Sequence, residues 1–201
     1  MNKKYRALIA CACSLLLVAG GCSKEEEIKP SEPVVETIKG NAVYASPSNP
    51  TNEQILAFND LTKAIDEAAS GDELAKQVTI SFAFDFFSLK NKTGQDDIGG
   101  LTYLPNDRVE EFKTYAIAHY YQNYGGIVKD YGQESLPSVK SVTVTTSTAK
   151  DINYLGQMYG GYVVEAEIEY QKTKMDSELL KNKITATMIY DNNIIGLIGI
   201  E

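Results

Sequence analysis

The chain has 201 residues, which suits one ordinary folded domain with additional segments. A composition of 43% hydrophobic and 23% charged residues is typical of globular proteins and excludes a disordered or fibrous chain. The formal net charge of -8 gives an acidic surface that repels phosphates. The charge therefore predicts that the domain does not bind nucleic acid.

Cysteine and histidine are too few, or too poorly placed, to build a metal centre in the folded part. All three cysteines, Cys11, Cys13 and Cys22, lie at the N-terminal end, so the rest of the chain offers no disulfide and no thiol ligand. His119 is the one histidine, which excludes a zinc site with several histidines. The sequence predicts no metal and no cofactor.

Residues 1–21 have the layout of a secretory signal peptide. Met1 to Arg6 is a basic stretch, Ala7 to Val18 is an apolar run, and small residues precede Cys22. The apolar run is short for a helix that crosses a membrane, which needs about 20 residues. An uncleaved anchor or an ordinary secretory signal is the alternative interpretation.

The residues before Cys22 resemble the lipobox of bacterial lipoproteins. Val18-Ala19-Gly20-Gly21-Cys22 matches that motif, with Ala19 where the family most often has Leu. A second match ends at Cys11, but it leaves too few apolar residues ahead of the cut. The resemblance implies cleavage before Cys22, a diacylglyceryl group with palmitate-type acyl chains on its thiol, and anchoring at the extracytoplasmic face of the cell membrane. Each buried CH₂ of an acyl chain contributes about 0.8 kcal/mol to such anchoring.

Residues 22–48 predict a lipidated, flexible tether, and residues 49–201 a single folded domain. The stretch from Ser23 to Pro33 is charged and Pro-containing, and Ser, Pro and Asn continue up to Pro50. Val43 and Tyr44 are scattered apolar residues through which part of this stretch can dock on the domain.

Helical periodicity dominates the first half of the domain. Apolar residues recur at helical spacing from Ile55 to Ala68 and again from Leu74 to Phe87, where two apolar faces predict a largely buried helix. Leu101 to Leu104 alternates and predicts a short strand. A third helix is expected after Asp107, ending at Gly125-Gly126, with one more turn possible over 127–131.

Beyond Pro137 the hydrophobic period becomes two. Alternation around Val142–Thr146, Val164–Tyr170 and Ile184–Met188, followed by an apolar run over 194–200, predicts four antiparallel strands. Such strands need cover on their apolar face, which the preceding helices supply. The fold class is therefore α+β, with N-terminal helices packed on a curved, mostly antiparallel sheet of four to five strands.

This element order resembles the nuclear transport factor 2-like superfamily. The segments 82–89 and 99–104 are also similar to Gram-positive lipoproteins of unassigned role. A more distant similarity is to the extracytoplasmic domains of VirB-type conjugation channels, which share this fold. The superfamily implies a cone-shaped fold. Some of its members are isomerases or dehydratases that use a polar group inside the cone, and others are binding or assembly domains with the cone filled.

Asp85 and His119 form the one acid–base pair that the sequence suggests. Asp85 lies among phenylalanines, where an apolar setting can make a carboxylate a general base. The alternatives are an Asp85 on an exposed stripe and a His119 with no catalytic role. Tyr103 and Tyr115 are further candidates for groups inside the cone, whereas Asp96 and Asp97 are typical of a solvated loop.

Tyr120, Tyr121 and Tyr124 form the most unusual feature of the third helix. They cannot all face inward from one helix, and exposed tyrosines are favoured at protein interfaces. Burial under the residues after Gly125 is the alternative. The sequence thus predicts a membrane-tethered binding or assembly module that docks on an envelope protein or on a second copy of itself. A small-molecule carrier or a cone-cavity enzyme is the alternative.

Overall fold

A computed structural model describes residues 36–173 and 180–201. The predicted signal peptide and Cys22 lie outside these residues. Helices precede a four-stranded antiparallel sheet, which confirms the predicted α+β class. None of the described helices is both long enough and apolar enough to cross a bilayer. The main elements are α1 (Asn52–Asp66), α2 (Gly71–Phe87), α3 (Val109–Ala116), α4 (Tyr124–Tyr131), β1 (Val139–Tyr154), β2 (Gln157–Tyr170), β3 (Lys183–Asp191) and β4 (Ile194–Ile200).

The first two helices are fixed by their caps and by burial. Thr51 and Gln54 form a reciprocal capping box at the start of α1, and the Ser70 hydroxyl accepts a hydrogen bond from the first turn of α2. Every residue from Ser81 to Leu89 is buried, so the C-terminal half of α2 runs through the core. The prediction of a helix buried on more than one face is confirmed.

The sheet has the order β1-β2-β3-β4, and each strand is antiparallel to its neighbours. Along β2, Val164, Ala166 and Ile168 are buried against the helices, and the glutamates between them are exposed. The predicted alternation of buried apolar and exposed polar residues along β2 is therefore confirmed. Register shifts in β1 and at β3–β4 mark irregularities of the kind that bend a sheet.

The predicted strand at Leu101–Leu104 is wrong, and the sheet of the described residues has four strands, within the predicted four to five. Leu101–Tyr103 forms one turn of 3-10 helix, in which Tyr103 N–H donates to the Gly100 carbonyl and Leu104 N–H to that of Leu101. Gly100 has a φ of 80°, which a glycine adopts without strain. This turn directs the buried Tyr103 into the core.

The third helical region is also divided differently from the prediction. α3 ends at Ala116, a π-helical segment covers Ile117–Tyr121, and α4 then begins at Tyr124. Gly125 and Gly126 do not end a helix, because they lie within the first turn of α4. Both residues are exposed.

Residues 36–48 pack on the domain, so the predicted tether is shorter than the sequence suggested. Tyr44 is buried; its hydroxyl donates to the Ile195 carbonyl (2.8 Å) and accepts from the Ile195 N–H (3.2 Å) at the outer edge of β4. The Lys39 N–H donates to the Asn59 side chain of α1. The domain therefore includes residues 36–48 and does not begin at residue 49.

Tyr44 gives the domain a specific weakness in alkali. Burial raises the pKa of Tyr44 to about 12 from an ordinary value of 10.0, so the unfolded chain loses this proton at lower pH than the native protein. The contribution of the protonated Tyr44 to the free energy of unfolding is complete below pH 10. It is lost as the pH rises towards 12, at about 1.4 kcal/mol per pH unit. Urea unfolding at pH 8 to 11 should show a shallower decline for Tyr44→Phe than for the wild type. Parallel declines would contradict this assignment.

The distal end of the β1–β2 hairpin extends beyond β3. β2 pairs with β3 only from Gly161 to Glu167, whereas the β1–β2 ladder continues to the pair Tyr154–Gln157. We call residues 151–160 the hairpin arm. The Tyr154 hydroxyl donates a short hydrogen bond to the Asp107 carboxylate, which holds the arm beside the residues that precede α3.

Candidate functional site

Asp85 lies near the end of α2 and forms a buried ion pair with Lys92. Asp85 Oδ1 is 2.6 Å from Lys92 Nζ, and Asp85 Oδ2 accepts the Gly100 N–H at 2.7 Å. The side chain of Lys92 is 1% exposed and that of Asp85 is 10% exposed. Both carboxylate oxygens are thus engaged within the protein, a position that neither sequence-based interpretation of Asp85 anticipated.

Two tyrosines and a glutamine hold the loop that carries Lys92. The Tyr121 hydroxyl donates to the Phe86 carbonyl (2.7 Å) and accepts from the Gly99 N–H (3.3 Å). The Tyr124 hydroxyl donates a short bond to the Lys92 carbonyl, to which Gln133 Nε2 also donates at 3.0 Å. Burial holds the pKa of Tyr121 above its ordinary value, so its hydroxyl stays protonated and remains a donor.

The structure does not bring His119 to Asp85. His119 is exposed on the π-helical segment, where its ring stacks on Tyr115 with centroids 4.4 Å apart. Asp85 is instead paired with Lys92 in the interior. The two groups therefore form no acid–base couple in this arrangement.

Tyr121 and Tyr124 are not available to a partner, contrary to the predicted Tyr-rich surface. They are 0% and 6% exposed, and their hydroxyls bind backbone groups of the protein itself. Tyr120 is half-buried and packs edge-on against Phe86 and Phe87. Tyr120 and Tyr121 lie in the π-helical segment Ile117–Tyr121, and Tyr124 opens α4.

Aromatic rings of α2, α3 and the π-helical segment pack against one another in the core. Phe86 is fully buried at their centre. Its ring lies 4.8–5.7 Å, centroid to centroid, from those of Phe82, Phe87, Phe112, Tyr120 and Tyr121. Such spacing is that of packed aromatic pairs, so these rings leave no room for a ligand among them.

Several depressions lie outside these rings, and a small one of about 130 Å³ has Asp85 and Lys92 in its lining. A cleft of about 180 Å³ runs between α3 and β4, with Arg108, Phe112 and Leu197 among its walls. Sites for drug-sized ligands are commonly about 300–1,000 Å³, so this cleft is small for such a role. A larger groove of about 480 Å³ lies beside the β3–β4 turn, between Pro105, Ile194 and Ile195. We call it the β4 groove.

Over residues 36–173 and 180–201, no three His, Cys, Asp or Glu side chains converge as a metal site. Asp97 accepts hydrogen bonds from the backbone and hydroxyl of Thr93, which closes its own loop. The prediction that Asp96 and Asp97 belong to a solvated loop agrees with this arrangement.

Sequence reasoning missed two features. No local sequence pattern indicates the ion pair of Asp85 with Lys92. Lys92 lies in the loop after α2, and that loop folds back and brings its side chain to Asp85. The exposed Leu155 at the tip of the hairpin arm had a signal, a Leu-Gly pair between two alternating runs, which was not used.

Comparison with protein-family models, with curated protein sequences and with solved structures gave no significant match.

Proposed function

We propose that this protein is a membrane-tethered extracytoplasmic lipoprotein, anchored by lipid on Cys22, whose domain is a binding or assembly module of the cell envelope. The observation that carries the binding role is the exposure of large apolar side chains on a well-packed domain. Leu155, 79% exposed, and Met158, 59% exposed, lie three positions apart on the hairpin arm. Exposed apolar side chains grouped in this way mark interaction sites.

The interior supports this proposal over a cone-cavity enzyme or small-molecule carrier. An enzyme that works inside such a cavity needs a polar side chain that faces open space and is not already engaged by hydrogen bonds within the protein. The oxygens of Asp85 are occupied by Lys92 and Gly100, and the rings around Phe86 pack against one another in the core. A filled interior is what the sequence resemblance to the nuclear transport factor 2-like superfamily implies for its binding and assembly members.

The anchor can be tested by intact-mass measurement on protein extracted from membranes. We expect loss of residues 1–21 and added mass from a diacylglyceryl group, because two acyl chains together hold a protein stably to a bilayer. Cys22→Ala is the control, and it should yield neither the acyl mass nor the cut before residue 22. An intact leader with no added lipid in the wild type would refute the anchored role.

The binding role can be tested by crosslinking the full chain in intact cells. We expect discrete crosslinked species of defined mass from photoreactive residues placed at exposed positions of the domain. If no position yields a species above the background of Cys22→Ala, the domain is not an assembly module in the envelope.

A further inference from the structure

The two tight turns of the sheet differ in a way that their geometry does not require. In the β3–β4 turn, Asn192 and Asn193 have φ of 50° and 64°. In the β1–β2 turn, Leu155 and Gly156 have φ of 51° and 81°. Positive φ at both central residues is the geometry of type I′ turns, which favour Asn and Gly. Leu155 occupies a position that asparagine suits better.

Leu155 is unfavourable for the isolated domain in two respects. A branched, apolar residue in the left-handed region is strained. Its side chain is also 79% exposed at the tip of the hairpin arm, so it gains little from burial. Strain that the fold does not need is a reason to look for function. The tip of the arm is therefore a candidate for a contact with another molecule.

The surroundings of Leu155 have the composition of an interface. Residues 152–164 contain no charged side chain, in a chain in which 23% of residues are charged. Met158, which is 59% exposed, lies on β2 two residues after the turn. Tyr154 precedes the turn on β1, and Tyr159 follows Met158 on β2. Interface cores are depleted in charge and enriched in Met and aromatic residues. The arm therefore presents an apolar anchor with a neutral surround.

The β4 groove lies at the same end of the domain and offers a matching recess. The hydrogen bond from Tyr154 to Asp107 holds the arm beside the loop that forms one wall of the groove. Asp191 is the charged residue of its lining. Its apolar lining residues are Val43, Leu104, Pro105, Ile189, Ile194 and Ile195.

We propose that Leu155 of one copy seats in the β4 groove of a second copy, and reciprocally, in a two-fold symmetric dimer. A knob and a recess at one end of the same molecule are what an isologous contact requires. Each copy carries a net charge of -8 over the chain, so copies repel one another except where the contacting surfaces carry no charge, as residues 152–160 of the arm do not. A basic partner would gain little from residues 152–160.

The dimer rests on the proposed function in one respect. Lipid anchors on Cys22 confine the copies to one leaflet, which raises the effective concentration of each for the other. A modest contact through the arms then suffices to pair them.

Full-length protein in detergent micelles tests the proposal by sedimentation over a range of concentrations. We expect Leu155→Asn to weaken dimerisation at least tenfold, since it removes the anchor. The same change suits the turn, so thermal unfolding should occur at the same or a higher temperature. Ile194→Lys should weaken dimerisation from the groove side. Tyr131→Asn, which removes a comparably exposed side chain from α4, should leave it unchanged.

Crosslinking in intact cells from a photoreactive residue at position 155 is the second test. We expect a species of twice the chain mass, with crosslinked peptides from the β4 groove. A monomer at every concentration, or a Leu155→Asn dimer as tight as the wild type, would overturn the proposal. Crosslinks to a different protein would overturn self-pairing and leave the binding module standing, whereas crosslinks to lipid would overturn self-pairing only.

Discussion

We expect Asp85→Leu to lower the free energy of unfolding by about 3–5 kcal/mol, because it leaves the Lys92 ammonium buried without a counter-charge. Lys92→Met should cost a similar amount by stranding the carboxylate of Asp85. Such a loss is a large share of a typical domain stability of about 5–15 kcal/mol. Urea unfolding of the two single variants and the double variant measures the coupling between them.

The double variant decides whether the pair acts as a unit. Asp85→Leu/Lys92→Met removes both charges, so we expect it to be more stable than either single variant. It should remain below the wild type, because the Gly100 N–H loses its acceptor, at a cost of about 1–3 kcal/mol. Lys63→Gln is the control: its exposed pair with Glu67 should contribute less than about 1 kcal/mol. Additive losses in the double variant would show that the two charges are not coupled.

Phe86→Ala should also destabilise the domain by about 3–5 kcal/mol, as expected for removal of a fully buried aromatic ring. The five neighbouring rings cannot all collapse into the space, so an apolar cavity should remain. Thermal and denaturant unfolding measure the loss. Leu56→Ala, at a half-exposed position of α1, is the control and should change the stability much less.

The same variant tests whether the interior is filled. An apolar cavity of sufficient size stays dry and binds small aromatic molecules. We therefore expect benzene to raise the unfolding temperature of Phe86→Ala and not that of the wild type. Stabilisation of the wild type to the same extent would mean that the interior is already open, and would favour the carrier alternative.

The sheet and the first two helices were predictable because their signals are local and long. Strict alternation such as that from Val164 to Tyr170 fixes which face of a strand is buried, and the two-faced apolar pattern of α2 fixes its place in the core. The stretch 101–104 was too short for alternation to separate a strand from a helical turn. In the structure, hydrogen bonds from Tyr103 N–H to the Gly100 carbonyl and from Leu104 N–H to the Leu101 carbonyl make this stretch a helical turn.

The candidate site was predictable in identity but not in role. Asp85 was recognised as unusual, yet its partner Lys92 reaches it only because the loop folds back over the end of α2. Tyr121 and Tyr124 were expected to bind a partner, and their hydroxyls instead satisfy backbone groups at the end of α2 and in the loop over 88–100. Such satisfaction depends on contacts distant in sequence, which periodicity does not reveal.

The docking of residues 37–44 on the domain limits how far the domain of the proposed lipoprotein would stand from its anchor. If Cys22 carries lipid as proposed, fifteen residue steps separate it from Thr37, whose carbonyl accepts a hydrogen bond from Asn59 Nδ2. At about 3.6 Å per residue this length spans at most about 54 Å, just over half of what a connection to residue 49 would allow. On this proposal the domain would meet molecules close to its own leaflet, and neighbours anchored in the same way would lie within that range.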